Sequence, residues 1–79
     1  MFETVKRIIV DELGIDESTV VPEASLTNEL GISSVEFLNV IMAVEEELDI
    51  NTDENKLRTL NTVSELADYI DSLVISKNN

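Results

Sequence analysis

Cysteine and histidine are both absent from this chain. Their absence removes disulfides, thiolate nucleophiles, the usual zinc ligands and the side chain best suited to proton transfer at neutral pH. Any thiol or metal chemistry must be supplied from outside. Basic residues are scarce as well: five lysines and arginines stand against seventeen acids, for a net charge of −12. That balance repels nucleic acid phosphates and anionic membranes and attracts proteins with basic patches, so nucleic acid is excluded as a partner. Long apolar runs are missing too. The opening Met1-Phe2-Glu3-Thr4-Val5-Lys6-Arg7 lacks the apolar core of a signal peptide, and no segment reaches the roughly 20 apolar residues that span a bilayer. A soluble, cytoplasmic chain is expected. Its 79 residues are expected to form a single domain over 1–79, with a thin core and little room for a catalytic cleft. It is not expected to be an enzyme.

Four apolar clusters are present, and three keep helical rather than alternating spacing, which predicts an all-α fold. Phe2, Val5, Ile9 and Leu13 recur three and four residues apart, with Ile8 beside them and Gly14 as a stop, so a first helix is expected over about residues 3–13. Val63, Leu66, Ile70 and Leu73 repeat the spacing behind Thr62 and Glu65, a capping box that opens a last helix over about 63–75. The tail Lys77-Asn78-Asn79 is expected to fray. Residues 14–32, broken by Pro22, read as a long loop tacked to the core by Val20, Val21 and Leu26. Residues 53–60, with Leu57 and Leu60, support a short third helix at most.

Ser34 to Asp49 reads as the second helix. At 100° per residue from Ser34, Phe37, Val40, Ile41, Val44 and Leu48 fall between about 240° and 340° and face the core. Val35, Leu38 and Met42 fall between about 40° and 100°, an apolar strip flanked by Glu45, Glu46 and Asp49. Such a strip edged by carboxylates reads as a partner surface, with apolar contact for affinity and charge for steering. Ser33 and Glu36 form a second capping box, which occupies the Ser33 hydroxyl. Ser34 is then free in the first turn, beside unpaired N–H groups at the positive end of the helix dipole, where an attached phosphate is favoured. Without a neighbouring histidine or cysteine it is a weak nucleophile. It reads as an acceptor of modification.

A calcium loop fails on inspection. Asp49, Asn51 and Asp53 hold the first, third and fifth places of an EF-hand, but the sixth is Glu54 instead of glycine and the twelfth is Leu60 instead of glutamate. No metal site is expected.

Ala24-Ser25-Leu26-Thr27-Asn28-Glu29-Leu30-Gly31-Ile32-Ser33-Ser34-Val35, then Met42-Ala43-Val44-Glu45-Glu46-Glu47-Leu48-Asp49-Ile50, and further on Thr62-Val63-Ser64-Glu65-Leu66-Ala67-Asp68-Tyr69-Ile70 together resemble the acyl carrier proteins over nearly the whole chain. The resemblance implies a small four-helix bundle with a long loop between helices one and two and a short helix three. It also implies a 4′-phosphopantetheine arm joined by a phosphodiester to Ser34. The family pattern is commonly Asp-Ser-Leu, with an acid that helps dock the modifying transferase; here it reads Ser33-Ser34-Val35, and Asn39 stands where many members carry an acid. Glu36, Glu45, Glu46 and Glu47 match the acidic positions of the partner-recognition helix, and Val35, Leu38 and Met42 its exposed apolar ones.

The implied function is that of a carrier of acyl groups, held as thioesters on the arm and presented to partner enzymes of fatty acid or related biosynthesis. The implied partners are a phosphopantetheinyl transferase and acyl-processing enzymes with basic patches, met by a monomer. The alternative is an acidic helical interaction module that is never modified.

Overall fold

A computed structural model describes residues 1–77. It contains four helices, α1 (Phe2–Leu13), α2 (Ser34–Leu48), α3 (Glu54–Leu57) and α4 (Val63–Lys77), with a 3-10 turn at Glu17–Thr19 inside the first loop. The fold is all-α, a small bundle in which α1 packs against both α2 and α4. The three long helices bury the stripes their spacing predicts: Val5, Ile8 and Ile9 from α1, Val40, Ile41 and Val44 from α2, and Val63, Leu66, Ala67 and Ile70 from α4. Burying each of the larger aliphatic side chains contributes about 1.5–3 kcal/mol. Among the described residues, no buried polar or charged residue interrupts this core.

The helix ends follow local chemistry. Gly14, at φ 65°, ends α1 in the left-handed region, and its N–H donates to the Val10 carbonyl; glycine takes this conformation without a Cβ penalty. At the head of α4 the Thr62 N–H donates to the Glu65 carboxylate and the Glu65 N–H to Thr62 Oγ1, each at 3.1 Å. That is the expected capping box.

The first loop is more ordered than its composition predicts. Asp16 accepts from the Ser18 N–H at 2.9 Å and caps the 3-10 turn, a device the sequence reading did not anticipate. Val20 and Leu26 are buried as expected, but Val21 is 37% exposed. In extended backbone successive side chains point to opposite sides, so with Val20 turned inward Val21 faces out, and Ala24, buried in the same cluster, makes the inward contact instead. Further on, the loop pairs antiparallel with the segment leading into α4: the Leu26 N–H donates to the Asn61 carbonyl at 2.8 Å and the Val63 N–H to the Ala24 carbonyl at 3.1 Å. Lys77 corrects a second expectation. Rather than fraying, it ends α4, and its Nζ donates to the Leu48 carbonyl at 3.1 Å and pairs with Asp49 at 3.2 Å, covering an unsatisfied carbonyl at the end of α2. Asn78 and Asn79 lie outside the described residues.

Candidate functional site

The head of α2 is delivered by a tight turn. Ser25 Oγ accepts from the Asn28 N–H at 3.1 Å, the Glu29 carboxylate accepts from the Ser25 N–H at 2.8 Å, and the Ile32 N–H returns to the Leu26 carbonyl at 3.0 Å. Gly31, at φ 64°, reverses the chain in a conformation most residues resist. Ile32 is then buried, and Ser33 follows in extended geometry as the N-cap.

The Ser33 hydroxyl accepts from the Glu36 N–H at 3.2 Å while the Glu36 carboxylate accepts from the Ser33 N–H at 3.0 Å. Both members of this box are therefore engaged. Ser34, one residue on, is exposed at the first helical position. Its hydroxyl stands where unpaired N–H groups and the positive end of a 15-residue helix favour a phosphate ester.

Beside it opens a cavity of about 670 Å³ between α2, the first loop and the α3 segment. Ser34, Leu38, Ile41 and Glu45 all line it, and on the helix these four fall within about 20–40° of one line. From Ser34 to Glu45 that line runs about 16 Å, at 1.5 Å per residue. Leu26 and Ile32 from the loop, and Leu57 and Leu60 from the α3 segment, supply more apolar wall, while Arg58 stands on the same lining and is paired with Glu54 at 2.8 Å.

The apolar strip also lies open: Val35, Leu38 and Met42 are 70%, 56% and 55% exposed. Glu36 and Glu46 are exposed beside it, and Glu47, exposed too, is drawn to Arg7 of α1. Glu45 stands apart from them. It is half-buried, and its Oε2 accepts both the N–H and the hydroxyl of Thr52 at 2.8 Å. Asp49 and Asp53, from the failed calcium pattern, are spoken for: Asp49 pairs with Lys77, and Asp53 caps α3 by accepting from the Asn55 N–H at 2.8 Å. Sequence reasoning did not single out Thr52, Arg58 or Tyr69, since a lone threonine, arginine or tyrosine carries no periodic or motif signal.

An exposed hydroxyl at a helix head, with its cap taken by the preceding residue and a cavity of mixed apolar and polar lining alongside, defines a small helical domain suited to bearing a covalently attached group. A family model described as the phosphopantetheine attachment site matches residues 3–70, and the chain belongs to this family. Domains of the family are the site of covalent 4′-phosphopantetheine attachment and act as non-catalytic carriers, of the acyl carrier protein kind, that meet partner enzymes. No helix among the described residues is long and apolar enough to cross a membrane. The residues here fit the group: a serine oxygen open to solvent, free first-turn N–H groups and an adjoining cavity with apolar walls.

Proposed function

We propose that Ser34 is the attachment residue and that the chain presents acyl groups to successive enzymes of fatty acid or related biosynthesis. The observation that carries this reading is the division of labour at the head of α2, where Ser33 satisfies the cap and leaves Ser34 exposed at the mouth of the cavity. In the loading step Ser34 Oγ attacks the phosphorus of coenzyme A that bears the pantetheine. The new O–P bond replaces the pyrophosphate P–O bond, 3′,5′-ADP leaves, and the serine proton passes to a base on the transferase. This chain has no histidine to accept that proton, so activation falls to the partner. When bound, the group supplies a terminal thiol that holds the acyl group as a thioester.

Partner recognition is assigned to Val35, Leu38 and Met42, with Glu36 and Glu46 steering basic-patched enzymes onto the strip. Of the expected acids, Glu45 is engaged with Thr52 and is left out of that surface. A net charge of −12 also opposes contact between copies, which supports a monomer.

Incubation with coenzyme A and a broad-specificity phosphopantetheinyl transferase is expected to add one phosphopantetheine mass to the chain. Ser34→Ala is expected to add none. No mass gain with several transferases would favour the unmodified interaction module instead.

A further inference from the structure

Phe2 at the head of α1, Pro22 of the first loop and Ala67 of α4 wall a second cavity, of about 310 Å³, with Met1 at its mouth. No residue of α2 lines it. The Ser64 N–H donates to the Pro22 carbonyl at 2.8 Å and Ala67 is 3% exposed, so the edge and the floor of this cavity are both fixed. Val21, next to the edge, is exposed. The cavity is one end of a longer face. At 100° per residue along α4, Ser64, Asp68, Asp71 and Ile75 fall within about 60° of one another, on the side turned away from the buried stripe. From Ser64 to Ile75 this ridge runs about 16 Å, or three helical turns. Ile75 at its far end is 55% exposed, as much as Met42 of the α2 strip. The α3 segment leaves the ridge open, because it docks on the other flank of α4, where Tyr69 Oη accepts from the Asp53 N–H at 2.8 Å. Apolar surface therefore lies at both ends of the ridge, with two carboxylates between. Neither Asp68 nor Asp71 forms an ion pair among the described residues, and Lys6, one turn along α1 from Phe2, already pairs with Glu17 at 3.7 Å.

We propose that the groove between the head of α1 and the outer ridge of α4 is a second docking surface, and that its occupant is a basic amphipathic helix of another protein. The charge and the spacing select that occupant. One apolar side chain of the partner fills the cavity, a second three turns away meets Ile75, and lysines or arginines between them meet Asp68 and Asp71. A second copy of this chain would bring a further charge of −12 against those carboxylates. Nucleic acid and anionic membranes are repelled for the same reason. Because α2 contributes nothing to this groove, a protein seated there leaves Ser34 and the strip of Val35, Leu38 and Met42 open to a different enzyme. The surface belongs to the chain whether or not Ser34 is loaded.

The test uses the unmodified full chain, so failure of this surface and failure of the attachment reaction are separate results. The probe is a synthetic amphipathic helix with leucines three turns apart and lysines between them, titrated against the nitrogen-15-labelled protein at low salt and followed by NMR. Saturating shifts are expected at the amides of Phe2, Ser64, Asp68, Asp71 and Ile75, separate from any at Val35, Leu38 and Met42. A scrambled peptide of the same composition is expected to give no saturation at the α4 amides. The double variant Asp68→Asn, Asp71→Asn is expected to weaken binding at this face about fivefold, and Ile75→Ser about tenfold, with the α2 shifts unchanged in both. Shifts confined to α2 would overturn the proposal, as would equal saturation by the scrambled peptide, which would mean attraction by charge alone. Shifts at the same α4 amides that grow with protein concentration in the absence of peptide would assign the face to a second copy instead. All three substituted side chains lie outside the fully buried core; should one variant fail to fold, the other decides.

Discussion

Ser33 and Ser34 are chemically identical neighbours whose roles differ by one helical position. Ser33 precedes the first helical residue, so its oxygen reaches back to the Glu36 N–H; Ser34 is already helical and faces solvent. Ser33→Ala is therefore expected to cost about 1 kcal/mol and lower the melting temperature by roughly 4–8 °C, whereas Ser34→Ala is expected to stay within about 0.5 kcal/mol of the original chain. Calorimetry on the two variants separates them, and equal losses would contradict the assignment of the cap. Glu65 offers a second test at this scale. Bonds from the Asn61 and Thr62 N–H groups hold its carboxyl below the ordinary value of 4.5. A carboxylate depressed on folding stabilises the native state above its unfolded pKa, and that contribution is lost as pH falls through the folded value. The gap in urea midpoint between the original chain and Glu65→Gln is thus expected to be widest near neutrality and to close below pH 4.5. A gap independent of pH would refute the charge-assisted cap.

At the scale of the element, α2 serves two ends with opposite chemistry. Its N-terminus is well matched to a phosphate, while its C-terminus carries Glu45, Glu46, Glu47 and Asp49 against the negative end of the dipole. Asp49 also sits at φ 53°, the one left-handed residue other than glycine among those described. Its pair with Lys77 is highly exposed and worth at most about 1 kcal/mol. Asp49→Gly relieves both the backbone conformation and an unfavourable charge, so it is expected to stabilise the chain by about 0.5–1 kcal/mol net, read as a higher urea midpoint. A lower midpoint would mean that the Lys77 contact outweighs both. The contrast with α3 is instructive: α2 is held by an apolar stripe along its length, α3 by hydrogen bonds at its two ends.

For the molecule as a whole, charge is the dominant surface property. All five basic side chains are already engaged within the chain: Lys6 with Glu17, Arg7 with Asp11 and Glu47, Arg58 with Glu54, Lys77 with Asp49, and Lys56 over the Tyr69 ring. The charge that remains to meet a partner is almost wholly negative, as the balance of −12 requires. Self-repulsion of that size opposes compaction at low ionic strength. Raising salt from about 0.01 M to 0.15 M shortens the screening length from about 30 Å to 8 Å, and the melting temperature is expected to climb over that interval. A flat salt titration would remove repulsion as a significant destabiliser.

Much of this protein was legible before any coordinates. The i, i+3, i+4 recurrence of Val5 and Ile9, of Val40 and Val44, and of Val63, Leu66 and Ile70 specifies three helices and their inward faces, because both period and burial are local consequences of helical geometry. The two capping boxes were legible for the same reason, since each joins residues three apart. The pairing of Ala24 and Leu26 with Asn61 and Val63 was not, because it is made by backbone groups that every residue possesses. Nor was the role of Glu45. At about 20° on the helix wheel it lies between the core stripe and the exposed strip, and only the arrival of Thr52 from another segment turned its carboxylate inward. Local periodicity and capping thus determined the helices and the free hydroxyl at Ser34; contacts between residues far apart in the chain decided the cavity beside it.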